Sequence, residues 1–213
     1  MFPRKKIAGF VFRLVLFYGV LVAPWPGLQQ AYSTVYRRAC NAIFGSFGSG
    51  GVVRFGPLAK GRPGTHAEIT VRNVRSPTVG TTSHSIRFTG YLPAAEVLAL
   101  ILATPIAWSR RWKALVWGMI LVNGFVLLRV WITLLYWFSR DQPWALYHPS
   151  PFWSKFIGGL FEFASVSPAC SFVVPALIWI LVSLRREDLG MILPVRLGEP
   201  KWETPNSQCS QNF

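Results

Sequence analysis

The sequence predicts a membrane α-helical fold: four transmembrane helices, with a small extracytoplasmic antiparallel β insertion between helices 1 and 2. Three observations predict it. The 213 residues are 52% hydrophobic and only 14% charged, too apolar for an ordinary soluble domain. The apolar residues gather in four long runs, 7–23, 91–108, 114–138 and 156–184, against the roughly 20 residues that a helix needs to cross a bilayer core. Between the first two runs the apolar period switches from helical spacing to strict alternation.

The net charge of +14 is distributed in a way that orients these runs. Arg4, Lys5 and Lys6 precede the first, Arg110, Arg111 and Lys113 lie between the second and third, and Arg185 and Arg186 follow the fourth. With four spans the three clusters share one side, which the positive-inside rule makes cytoplasmic. Both termini are then cytoplasmic, and segments 24–90 and 139–155 lie outside. A basic start before an apolar run also fits a signal peptide, the competing reading of residues 7–23.

Clustering at helix ends argues against a nucleic-acid partner and for membrane lipid. The outer segment 24–90 is also basic, with Arg37, Arg38, Arg54, Lys60, Arg62, Arg72, Arg75 and Arg87 against Glu68. Long loops translocate largely regardless of charge. Such a segment suits anionic headgroups, an acidic partner or an acidic substrate, or is simply a solvated surface.

The chain divides into residues 1–27 (cytoplasmic start and first span), 28–90 (extracytoplasmic interfacial helix and β segment), 91–188 (a three-helix transmembrane core) and 189–213 (a cytoplasmic tail). Pro24-Trp25-Pro26 ends the first span at an interface. Tyr32, Val35, Tyr36, Ala39, Ile43 and Phe47 then recur at helical spacings. The helix they predict either lies on the outer leaflet or packs under the following β segment.

After the glycine-rich 45–51 loop, residues 52–55, 67–74 and 83–88 read as short strands, separated by Gly56-Pro57, Gly61-Arg62-Pro63-Gly64 and Ser76-Pro77 turns. Two to four strands cannot bury a large core alone. The sheet must rest on the preceding helix, the membrane or another protein. Ser109-Arg110-Arg111-Trp112-Lys113 is read as a tight cytoplasmic turn between the second and third spans. Trp144, Tyr147, Phe152 and Trp153 form an interfacial aromatic group in the second outer loop.

Charges inside apolar helices mark candidate sites, because each arginine there costs roughly 2.5–3.5 kcal/mol on insertion scales. Glu96, Arg129 and Glu162 lie in the second, third and fourth runs, at depths within about 6 Å of one another at 1.5 Å per residue. Asn123 sits nearly two turns from Arg129. One reading is a structural ion pair of Arg129 with Glu96 or Glu162. The other is a site open to the outer face, with Arg129 clamping a carbonyl or carboxylate and His148 as acid or base. His66 and His84, in the β segment, read as surface residues. Cys40, Cys170 and Cys209 fall outside, within the fourth span and in the tail. No disulfide, metal site or cofactor is expected from them, and Cys170 reads as a small buried apolar residue.

The order of a basic turn (residues 109–113), an Asn/Arg helix (Leu121-Val122-Asn123-Gly124-Phe125-Val126-Leu127-Leu128-Arg129-Val130) and His148 in the next outer loop resembles the exosortase/archaeosortase family over roughly residues 88–184. That resemblance implies a multi-span membrane transpeptidase-like scaffold whose substrate is a C-terminal sorting peptide, in a bacterial inner membrane. The chain departs from the family at two motifs. Phe88-Thr89-Gly90 stands where the family has Cys-Ser-Gly, and Asn123 and Arg129 are six apart rather than three.

The expectation is therefore a non-catalytic relative that binds a peptide, lipid or partner subunit, or assembles into a larger membrane complex, at the outer face. The alternative is a transpeptidase or protease with a relocated nucleophile. Thr89 could serve if His148 activated it, or Cys40 if Arg37 and Arg38 lowered its thiol pKa.

Overall fold

A computed structural model describes residues 4–57 and 67–183; His66 and Cys209 lie outside them. Helix α1, Arg4–Val22, is the first apolar run. Pro24 breaks it, and α2, Trp25–Phe44, leaves at 68° with Pro26 in its first turn. The buried face of α2 is Trp25, Ser33, Tyr36, Cys40 and Phe44. It is rotated from the face expected, because Val35 and Ile43 are exposed. The turned-in face carries the β sheet, and Leu28, Val35 and Ile43 form an uncovered apolar stripe.

The insertion is a four-stranded antiparallel sheet in the order β1-β2-β3-β4, formed by Ser46–Phe47, Gly51–Gly56, Ala67–Asn73 and Val79–His84. Gly48, at φ 60, makes the tight turn between β1 and β2. Val53 pairs with Val71 and Phe55 with Ile69, so their side chains face the core, whereas Arg54 and Arg72 point away.

Asn41 of α2 completes the join. Its side-chain Nδ2 donates to the Phe55 carbonyl at 3.1 Å, and its Oδ1 accepts from the Phe55 N–H at 2.8 Å, like one rung of a strand. Asn41→Ala is expected to cost about 1–3 kcal/mol by stranding both groups. Asn41→Asp, which keeps only the acceptor, should also lower the melting temperature of the purified protein.

Two sequence boundaries move. Residues 83–88 read as a strand in the sequence, but β4 ends at His84. The chain turns helical from Ile86 through a π-helical turn, Arg87–Tyr91. Pairing with β3, from Arg72↔Val79 to Ala67↔His84, uses up the extended segment, and Ile86 is then fully buried as a helical residue.

The expected second span is instead α3, Leu92–Ala103, only 12 residues and so about 18 Å long. Thr104 turns extended before Pro105, which makes residues 104–107 the real connection. The basic segment 109–113 is the first part of α4, Trp108–Ser139, not a turn. Arg111 reaches back to the Thr104 and Ile106 carbonyls at 3.2 and 3.3 Å and so caps that connection.

The fourth run is broken as well. Helix α5, Pro151–Phe161, runs into a π-helical turn, Glu162–Val166, and α6, Pro168–Ser183, departs at 78°. Ser167 precedes Pro168 and is driven extended, with ψ 119. Among the described residues one helix, α4, is long and apolar enough to cross a membrane, and there are up to three spans if each bent pair counts as one. That falls short of the four transmembrane helices expected from the runs.

Helix α4 serves two cores. Its first half, with Ala114 and Val122, packs with Val97 and Ile101 of α3 and Ile178 of α6. A Cβ on Gly118 would meet Ile101 and Val97 side chains at 2.8 and 3.0 Å, so this position lets α3 and α4 close together. The second half, with Val126, Val130, Leu134 and Phe138, packs under the sheet with Val53, Phe55, Ile69 and Val71.

Candidate functional site

Arg129 lies on the second half of α4 and is 3% exposed. Thr133 and Trp137 follow at spacings of four, so the three residues share one stripe of the helix. That stripe is one wall of a cavity of about 370 Å³. The end of β4 and the residue after it, Thr82 to Ser85, form a second wall. Phe88 and Thr89 of the first π-helical turn add a third, and Ser165, Ser167 and Ser171 around the α5–α6 break close the fourth.

The lining is rich in hydroxyls and holds one strong cation. Arg129 Nη1 donates to Ser171 Oγ at 2.8 Å, and its guanidinium stands over the Phe125 ring at 5.6 Å. Its buried Nε has no hydrogen-bond partner. Thr133 Oγ1 donates to the Arg129 carbonyl at 2.9 Å and lies 3.0 Å from Ser165 Oγ. Two further buried atoms, His84 Nε2 and Ser85 Oγ on the β4 wall, also lack partners. The cavity therefore offers a fixed guanidinium and several hydroxyls to a ligand that would supply what they lack.

The expected site residues separate. Thr89, 6% exposed, shares the cavity with Arg129. His148 does not: it is exposed in the loop before α5 and is not part of the lining. Cys40 is 1% exposed under the sheet, also outside the lining. Burial pushes its thiol up to about 11, opposite to the activation a nucleophile needs.

Glu96 faces α1, in a groove with Leu14, Val15, Tyr18 and Leu100, and Glu162 lies at the α5–α6 break, outside the cavity lining. Among the described residues no ion pair joins either glutamate to Arg129. The expected three-charge cluster does not assemble: Glu162 is exposed outside the cavity lining, and Glu96 lies on the α1 side of α3. Asn123 is exposed and bonds back to the Met119 carbonyl at 2.7 Å.

The histidine that reaches the cavity is His84, carried by β4. Its ring stacks on Tyr36 at 6.5 Å and 18°. Burial, and then the Arg129 charge, push its pKa from 6.5 down to about 4. The imidazole is thus neutral at physiological pH. The unfolded chain would bind a proton near pH 6.5, whereas the folded chain resists it until about pH 4. Stability should be full above pH 6.5 and fall as the pH drops toward 4. Thermal melts across this window should lose that slope in His84→Gln.

A sequence signal for this wall existed in the polar run Thr82-Ser83-His84-Ser85 shortly before Thr89, and in the Arg129/Thr133 spacing of four. Together these elements define a helical protein with a membrane-capable central helix and an arginine-bearing, hydroxyl-lined cavity between a β sheet and a broken helix. No family model, curated protein or solved structure matches the chain.

Proposed function

We propose that the chain is an exosortase-like integral membrane protein of the bacterial inner membrane that holds an anionic group at the outer face, acting as a binding or assembly subunit. One observation carries this reading. A buried guanidinium on the cavity wall bonds a neutral hydroxyl, keeps an unpartnered Nε and has no ion pair to Glu96 or Glu162. A carboxylate or phosphate entering the cavity would supply the missing charge and accept charge-assisted hydrogen bonds.

The C-terminal end of a peptide, a lipid phosphate and an acidic side chain of a partner subunit all carry such a group. The outer location is supported by the basic residues Arg110, Arg111 and Lys113 at the start of α4, the end remote from the sheet core. The resemblance is supported by Phe88 and Thr89, which stand where the family has Cys-Ser and line the cavity with Arg129. Native mass spectrometry of protein extracted in lipid nanodiscs tests it. Wild type should retain an anionic lipid or peptide that Arg129→Gln loses. Equal occupancy in both would remove the reading.

Thr89 and His84 in one cavity lining favour a second reading, an acyl transferase. In it the Thr89 hydroxyl attacks a peptide carbonyl while His84 Nε2 takes its proton. Arg129 stabilises the oxyanion, and the leaving amine departs with that proton. Thr89→Ala should then abolish processing of a tagged C-terminal sorting signal in cells, Thr89→Ser should retain it, and Cys40→Ser should have no effect. Processing that survives Thr89→Ala would exclude Thr89 as nucleophile.

A further inference from the structure

Two of the charges that the cavity does not use lie on α1 or against it. Arg13 sits in the middle of α1, exposed, and among the described residues it has no hydrogen bond or ion pair. Glu96 lines an open apolar groove of about 230 Å³ between α1 and α3, with Leu14, Val15, Tyr18 and Leu100, and its buried Oε2 has no partner. If α1 is embedded in a membrane, as the proposed topology requires, water cannot satisfy either group there.

The two do not meet within one chain. At about 100° per residue, Arg13 stands some 140–160° around the helix from Val15 and Tyr18, the residues that flank Glu96. The cation and the acidic groove therefore occupy opposite flanks of α1. Between them runs the exposed face, where Phe12 is 70%, Val15 66% and Leu16 50% exposed, and where a Cβ on Gly19 would meet nothing.

We propose that this face of α1 is a dimer interface with a second copy of the chain, sealed by two reciprocal Arg13–Glu96 pairs. The symmetry argues for a second copy. When two copies of α1 pack face to face about a two-fold axis along the membrane normal, the Arg13 flank of one lies beside the groove flank of the other, twice over. The depths agree. Glu96 shares its groove with residues 14, 15 and 18 of α1, so its level lies about 4 Å along the axis from Arg13, within reach of an arginine side chain. Each copy brings Arg13 on one flank of α1 and Glu96 on the other, so the exchange pairs all four groups. A lipid phosphate could pair with Arg13 but would leave Glu96 unanswered.

Cysteine cross-linking of full-length protein in native membranes tests this. Phe12→Cys, close to the axis, should give a disulfide-linked dimer on mild oxidation. In that background Arg13→Glu alone, or Glu96→Arg alone, should reduce the dimer roughly tenfold, because each places like charges opposite one another at both contacts. Co-expression of the two single variants should restore it in the mixed dimer, where one contact is wild type and the other is reversed.

The double variant Arg13→Glu/Glu96→Arg should restore it in the homodimer, which also answers the concern that either single variant fails to fold. No cross-link from Phe12→Cys in the otherwise wild-type chain would overturn the proposal. So would cross-linking that is indifferent to both charge reversals, the result expected if Arg13 meets only headgroups, and so would restoration in neither the mixed dimer nor the double variant.

Discussion

Arg129→Met is expected to leave the protein at least as thermally stable as the wild type while weakening capture of the proposed anionic ligand roughly a hundredfold, on the order of the effect of removing one preorganised donor from a site that stabilises an anion. The two effects part because the guanidinium is poorly compensated in the folded protein. It is 3% exposed, bonds the neutral Ser171 and leaves Nε unpartnered. Methionine fills much of the same volume, packs on Phe125 and carries no charge that needs solvation, so the loss of one hydrogen bond is offset by the loss of a buried cation. Arg129→Lys keeps the charge but not the planar donors, and should fall between the two in ligand capture. Melting followed by tryptophan fluorescence, with ligand occupancy by native mass spectrometry, reads both quantities. A stability loss of about 3–5 kcal/mol in Arg129→Met would mean instead that the guanidinium has a charged partner in the folded protein.

An arginine amid apolar residues is visible in the sequence, and so is its need for company. Its company is not. Depth along three straight helices points to Glu96 and Glu162 as counter-charges. The helices are not simple rods: α3 presents Glu96 to α1 rather than to α4, and the fourth run breaks at Ser167-Pro168, with Glu162 exposed at the start of the break. What Arg129 meets instead are serines and a histidine, residue types too common to stand out one by one.

The same logic explains the sheet. Alternation in 67–74 predicts β3 well because that strand is buried on one face and paired on both sides. Residues 83–88 also alternate, yet only the first two end up extended, because the register with β3 is exhausted at His84. Period alone cannot tell an edge strand from the helical turn that follows it. Cys40 fails as a nucleophile for a related reason. Two arginines adjacent in the sequence project off the buried face of α2, while the thiol itself turns into the core.

Phe138→Ala is expected to be the most destabilising single truncation in the core beneath the sheet, at about 3–5 kcal/mol. Phe138 is fully buried one residue before the end of α4 and stacks on Phe47 of β1 with centroids 5.3 Å apart and planes at 13°. Its carbonyl accepts from the backbone N–H groups of Leu146 and Tyr147 at 2.9 and 3.2 Å, so the loop after α4 folds back over it. Gly51 of β2 leaves room for its ring: a Cβ there would lie 3.1 Å from Phe138 Cζ and 2.6 Å from Leu146 Cδ1.

One side chain thus joins α4, the first two strands and the 140–147 loop, and truncating it opens a void that three elements cannot close together. The consequence reaches the cavity, because its β4 wall hangs from the same sheet. Ligand capture should therefore fall along with stability, unlike the pattern for Arg129→Met. Phe138→Leu, which keeps most of the volume, should lose less than half as much, and Leu128→Ala, half exposed on the same helix, should stay within about 0.5 kcal/mol. Hydrogen exchange on β2 and β3 provides the direct readout. Faster exchange across both strands in Phe138→Ala is the expected result, and unchanged exchange would mean that α2 and Asn41 hold the sheet without help from α4.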